Sequence, residues 1–212
     1  MSHLIRVFPV ALLGAILQTQ PAIAAPLISE VLYDAVGADN GYTFVELYGT
    51  PGDSLSGLSL QGINGATGLA YDTLNLSGTF NASGVFVVAD DSGNGTSNVP
   101  NVDLILNFDL QNGPDSVLLK SGGTVIDALG YGVFGPGTFF AGEGTPAPAT
   151  APGQSLARSY ADIDTNNNSA DFMVLNTPTP GQALAAPLPV PGSLWLLMSG
   201  LLGTVVISRR RA

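Results

Sequence analysis

The sequence predicts an all-β protein, a single β-sandwich domain set between two apolar ends, and three observations carry that prediction. No window between residues 26 and 181 sustains a 3.6-residue apolar period; short runs rich in Val, Leu, Ile, Tyr and Phe recur instead, at roughly ten-residue spacing. Glycine is abundant at 27 and proline stands at 15, a bias toward turns and short strands over long helices. Cysteine is absent, so the fold must rest on its core, and the roughly 160 residues between the ends are enough to bury one.

Strands are expected at 27–33, 42–48, 58–63, 69–76, 85–89, 103–108, 116–120, 124–131, 155–160 and 172–175. The breaks between them carry turn chemistry. Lys120-Ser-Gly-Gly-Thr124 offers two residues tolerant of positive φ, as a tight hairpin needs. Asp91-Ser-Gly-Asn-Gly95 and Asn112-Gly-Pro-Asp115 are loop signals. Runs that are apolar throughout, such as Val85-Phe-Val-Val-Ala89, fit central strands. The Pro/Ala-rich stretch 144–153 is expected to be a surface loop within the domain, because too few strands follow it to form another.

The ends read as addresses. Met1 to Arg6 is short and mildly basic, Val7 to Leu17 is apolar, and Ala22 and Ala24 are small residues at the two positions a signal peptidase reads. Residues 1–24 are thus expected to be a signal peptide cut after Ala24, with Ala25 the second choice. An apolar run of 11 residues is too short to span a bilayer, which takes about 20. At the other end a Pro/Ala-rich linker, 183–191, leads from a domain at 26–182 into an apolar segment starting at Gly192 and closed by Arg209, Arg210 and Arg211. Arginines after an apolar helix stay on the cytoplasmic side, which leaves the main body outside. The segment 192–212 is therefore expected to be a membrane-inserting helix, transient or permanent.

Pro189-Val190-Pro191 followed by a Leu/Gly-rich helix and Arg209-Arg-Arg211 resembles a PEP-CTERM sorting signal, with Val190 at the place of the name-giving Glu. The resemblance implies processing by an exosortase-type membrane protease and association with extracellular polysaccharide. The alternative is a plain single-span anchor.

A second resemblance covers residues 28–181. Leu27-Ile-Ser-Glu-Val-Leu-Tyr-Asp34, Phe44-Val-Glu-Leu-Tyr48, Asp115-Ser-Val-Leu-Leu119, Val125-Ile-Asp-Ala-Leu-Gly-Tyr131, Gln154-Ser-Leu-Ala-Arg158 and Thr177-Pro-Thr-Pro-Gly181 stand in the order of a bacterial lamin-tail domain. That resemblance implies an immunoglobulin-like β-sandwich used as a binding or structural module. Gly49 departs from the Asn usual at its position.

Charge and composition narrow the chemistry. All sixteen acidic residues lie from Glu30 to Asp171, whereas only Lys120 and Arg158 of the six basic ones fall in that region. Such a surface repels nucleic acid and anionic lipid. The lone histidine is His3, in the leader, so imidazole-dependent nucleophiles and His/Cys zinc sites are excluded from the mature domain. What remains is carboxylate chemistry. Glu30 and Glu46 are flanked by apolar strand residues and are expected to meet across a strand pair, where like charges destabilise. The expected relief is a structural ion pair with Arg158. The rival is a calcium site made from Glu30, Asp34, Asp39 and Glu46. The alternating acids and amides of 162–171 imitate an EF-hand loop but lack its Gly and closing Glu; a turn capped by Asx side chains is the better reading. Tyr131, Phe134, Phe139 and Phe140 are expected to close one end of the sandwich, or to stack a sugar if exposed.

The expected function is that of an exported, non-enzymatic envelope or matrix protein with no cofactor. Calcium-dependent surface binding is the alternative, and a carboxylate-based polysaccharide hydrolase the third class.

Overall fold

The computed structural model describes residues 25–187. The expected signal cleavage site at Ala22 and Ala24, and the sorting residues Pro189, Val190, Pro191, Arg209, Arg210 and Arg211, lie outside the described residues. Among those described, no helix is long and apolar enough to cross a membrane.

Ten strands form two sheets: β1 (Leu27–Leu32), β2 (Phe44–Tyr48), β3 (Leu58–Asn64), β4 (Ala70–Asn75), β5 (Val85–Asp90), β6 (Leu104–Leu106), β7 (Asp115–Ser121), β8 (Thr124–Tyr131), β9 (Ser155–Arg158) and β10 (Phe172–Leu175). Each lies on an expected strand. Among the described residues a single short helix, α1 (Asn168–Asp171), precedes β10. One sheet runs β10-β9-β1-β2-β5-β6 and the other β4-β3-β7-β8. All pairs are antiparallel except β5 with β6.

The two sheets share one core. Ile28, Val31, Val45, Leu47, Phe86 and Val88 from the first meet Leu60, Val117, Leu119 and Leu129 from the second. Tyr33 stacks on Tyr131 with ring centroids 4.1 Å apart. The β7–β8 hairpin closes through Gly122 and Gly123, both at positive φ, because a two-residue turn must match the right-handed strand twist. Phe134 and Phe140 pack edge to face at the end of the sandwich, while Phe139 stays half exposed.

The outer face of the six-stranded sheet is also buried. Leu32, Phe44, Val85, Val87 and Ala89 alternate with the core residues and point away from them. Two irregular segments cover this face, one carrying Val99 and Val102, the other carrying Ala183 from the C-terminal stretch. These covers explain why β1 and β5 are buried at every position rather than at every second one. Residues 183–186, expected to open a linker, are still held by the body: Ala161 N–H donates to Leu184 O, and Ala186 N–H to Asp162 Oδ1.

Candidate functional site

Two clusters of buried polar side chains stand out, one between the sheets and one beneath the C-terminal cover. Both depend on a bulge at Ser29. There the β1–β2 register shifts between Ile28 and Glu30, so Ile28 and Val31 both enter the core. The backbone N–H and C=O of Ile28 are left to partners outside the ladder.

Arg158, on β9, fills the first cluster. Its Nη2 sits 3.0 Å from both carboxylate oxygens of Asp127 on β8, in the opposite sheet. Nη1 donates to Asp171 Oδ2 at 3.0 Å, to Ile163 O at 3.1 Å and to Asp164 Oδ1 at 3.4 Å. Nε donates to Ile28 O, and Ile28 N–H donates to Asp127 Oδ2. Every donor of the guanidinium is engaged. The group also lies over the Phe172 ring, 4.6 Å from its centroid. This arrangement staples β8 to β1 and β9 where the two sheets would otherwise part.

The expected ion pair is therefore corrected in its partners. Arg158 is buried in a salt bridge, but with Asp127, Asp164 and Asp171, not with Glu30 or Glu46. The reason is strand alternation: Leu156 and Arg158 face the core, while Glu30 and Glu46 face the other side of the sheet.

The stretch 162–171 supplies the lower half of this cluster, folded as an Asx-capped turn. Asp164 Oδ1 accepts Asn166 N–H, and Asp171 accepts both the N–H and the hydroxyl of Thr165. Asn168, fully buried, acts as a substitute strand on the free edge of β8. Its side-chain oxygen accepts Gly130 N–H and Glu143 N–H, and its amide donates to Ala128 O. Asn168 lies in the stretch expected to form an Asx-capped turn, whereas Asp127 and Glu143 are not among the expected site residues. Asp127 carried one signal, an acid inside the apolar strand Val125-Ile-Asp-Ala-Leu129.

Asp127, Glu143 and Asp164 bring ligand-type oxygens within 4.8 Å of one another. This buried acidic group could hold a cation. Glu143 Oε2 is buried without a hydrogen-bond partner. Burial pushes the Glu143 carboxyl up to about 8, and the negative charges of Asp127 and Asp164 push it the same way. At neutral pH it therefore holds a proton, which an otherwise orphaned oxygen can direct at a neighbouring carboxylate. A proton and a cation are alternative ways to fill one position.

The second cluster is the glutamate pair. Glu30 and Glu46 are direct cross-strand partners, as expected, and are 3% and 1% exposed. Hydrogen bonds from neutral donors surround them. Glu30 accepts from Ser155 Oγ and from both the N–H and the hydroxyl of Thr179. Glu46 accepts from Ser29 Oγ at 2.7 Å and from Gly181 N–H at 2.6 Å. Burial pushes Glu46 up to about 7, and the Glu30 charge adds to it.

The expected calcium ligands do not assemble. Asp34 and Asp39 lie in the β1–β2 loop, where Asp39 accepts Ala35 N–H, while Glu30 and Glu46 are committed to donors under the C-terminal cover. Among the described residues, the acids that gather are Asp127, Glu143 and Asp164 instead.

Two clefts of about 120 and 130 Å³ open on the surface, the larger beside Glu30, Glu46, Met173 and Leu184. Both fall below the roughly 300–1,000 Å³ of a small-molecule site. No protein family, curated protein or solved structure matches this chain.

Proposed function

We propose that this chain is an exported, non-enzymatic protein of the cell envelope or extracellular matrix, in which an immunoglobulin-like sandwich of lamin-tail type serves as a structural or binding module. A signal peptidase would remove residues 1–24, and an exosortase-type protease would act on the tail that begins at Pro189-Val190-Pro191. The observation that carries the reading is that, among the described residues, ten strands in two sheets close around one shared core between residues 27 and 175, the extent over which the lamin-tail resemblance runs. The acidic surface fits solubility outside the cytosol, and exopolysaccharide or another surface component is the partner it suits better than nucleic acid.

Fractionation of the native host tests this, with mass spectrometry of the mature ends, for the chain with and without Arg209, Arg210 and Arg211. A mature N-terminus at Ala25 and a changed fate for the tail-trimmed chain are expected. An intact chain, soluble in the cytosol, would sink the proposal.

A second reading, a calcium-dependent binding module, rests on the unpartnered Glu143 oxygen beside Asp127 and Asp164. Calorimetric titration with calcium, run beside magnesium, decides it: heat with a raised melting temperature for calcium supports the module, and silence at millimolar calcium removes it.

A further inference from the structure

The stretch from Thr177 to Ala186 is a strap laid over the outer face of the six-stranded sheet. It contributes no strand; Pro180 is buried and Ala183 joins the outer cluster, while Leu184 is 64% exposed. Single polar contacts fix its place: Thr179 on Glu30, Gly181 on Glu46, Pro180 O on the Asn101 side chain, Leu184 O on Ala161 N–H, and Ala186 on Asp162. Gly181 has φ +86°, and a Cβ there would strike the Asn101 side chain, so the strap is fitted to this place. Two of its fasteners are buried carboxylates set side by side, with no cation bridging either among the described residues.

We propose that the strap is a reversible latch, closed while Glu46 holds a proton beside Glu30 and released when Glu46 loses it. With the strap closed, the pair is nearly fully buried at the foot of a small cleft, and two charges in direct cross-strand contact repel in a medium that screens them poorly. Lifting the strap hydrates both groups and lets them separate. Opening therefore costs less once Glu46 has lost its proton. The raised titration of Glu46 has this sign, because burial, the largest cause, and the Glu30 charge outweigh the hydrogen bonds from Ser29, Gly181 and Gln182 that favour the ionised form.

The groups around the pair leave the proton as the means of relief. Ser29 on β1 and Ser155 on β9 are neutral, and Val87 on β5 stands opposite Glu46. Arg158 is spent on the other face of the sheet, Tyr48 lies two residues from Glu46 on β2, and Asp162 under the strap's end adds negative charge. The strap itself carries no ionisable side chain.

Release would free ten residues and lengthen the connection to residue 188 by about 30 Å. In a chain held at the membrane by its C-terminus, the domain would then stand farther from its anchor. That consequence rests on the sorting proposal; the latch does not.

Amide hydrogen exchange on the full-length chain in mild detergent tests the latch, with rates corrected for the intrinsic effect of pH. Protection of the Thr179 and Gly181 amides should fall about tenfold or more between pH 6 and 8.5, because one proton linked to opening changes it by at most tenfold per pH unit. Amides of β2 and β5 should keep theirs. In Glu46→Gln the strap amides should lose the pH dependence. In Ser29→Ala, which removes a hydrogen bond favouring the ionised form, the transition should move to higher pH. Strap protection that ignores pH, or that falls in step with β2 and β5, overturns the latch, as does a pH dependence that survives in Glu46→Gln.

Discussion

Arg158 with its aspartates and Glu30 with Glu46 lie on opposite faces of the six-stranded sheet, and both borrow from the bulge in β1. The first cluster encloses a cation, and its carboxylates are satisfied by a guanidinium, backbone amides and a threonine. The second encloses no cation and relies on serine and threonine hydroxyls and strap amides. Charge paired with charge fastens one sheet to the other. Charge paired with dipoles fastens only a strap. The difference teaches that a buried carboxylate's role follows from what its counterpart can supply: a fixed cation makes a permanent joint, whereas a like charge with neutral donors leaves a joint that loosens when a proton is lost.

Breaking the cationic cluster should have the largest effect. Arg158→Met leaves Asp127 and Asp171 buried without their cation and should cost about 3–5 kcal/mol, read by urea unfolding at pH 7. A loss under about 1 kcal/mol would mean that water reaches the aspartates and that the joint is not the one described.

The glutamate cluster should reveal itself through pH. Glu46 titrates near 7 in the folded chain against an ordinary 4.5, so the native state binds the extra proton. The stability this confers is fully present below about pH 4.5 and is lost as pH rises through 7, a decline of about 3 kcal/mol for this group. Glu143, raised to about 8, adds a smaller decline of the same sign, because it is only partly buried and solvent screens it. Thermal unfolding from pH 5 to 9 measures the sum. Glu46→Gln should remove most of the slope and raise stability above pH 8.

Smaller effects separate the clusters' supports. Asn168→Ala strips the β8 edge of its substitute partner and should cost about 2 kcal/mol by the same unfolding measurement, through buried Ala128 and Gly130 groups left unpaired. Glu143→Gln should change stability by less than about 0.5 kcal/mol at pH 6, where the native acid already holds its proton. A loss above about 1 kcal/mol there would show that Glu143 works as an anion.

The all-β class, the ten strands, the two-glycine hairpin and the surface loop at 144–153 were legible in the sequence, because strand runs and turn residues are local signals, each readable within about ten positions. So was the meeting of Glu30 with Glu46, which follows once adjacent strands pair. The partner of Arg158 was not legible. Which acid it meets depends on which face of β9 looks inward and on a one-residue bulge in β1, and a shift of one residue reverses every side chain. Nor could the sequence place Glu143 against Asp127, or show that the proline-rich stretch after 177 is strapped down instead of hanging free. Composition marks such a segment as extended and poor in core residues; whether it docks depends on two glutamates more than 130 positions away, and only the tertiary fold brings those oxygens to Thr179 and Gly181.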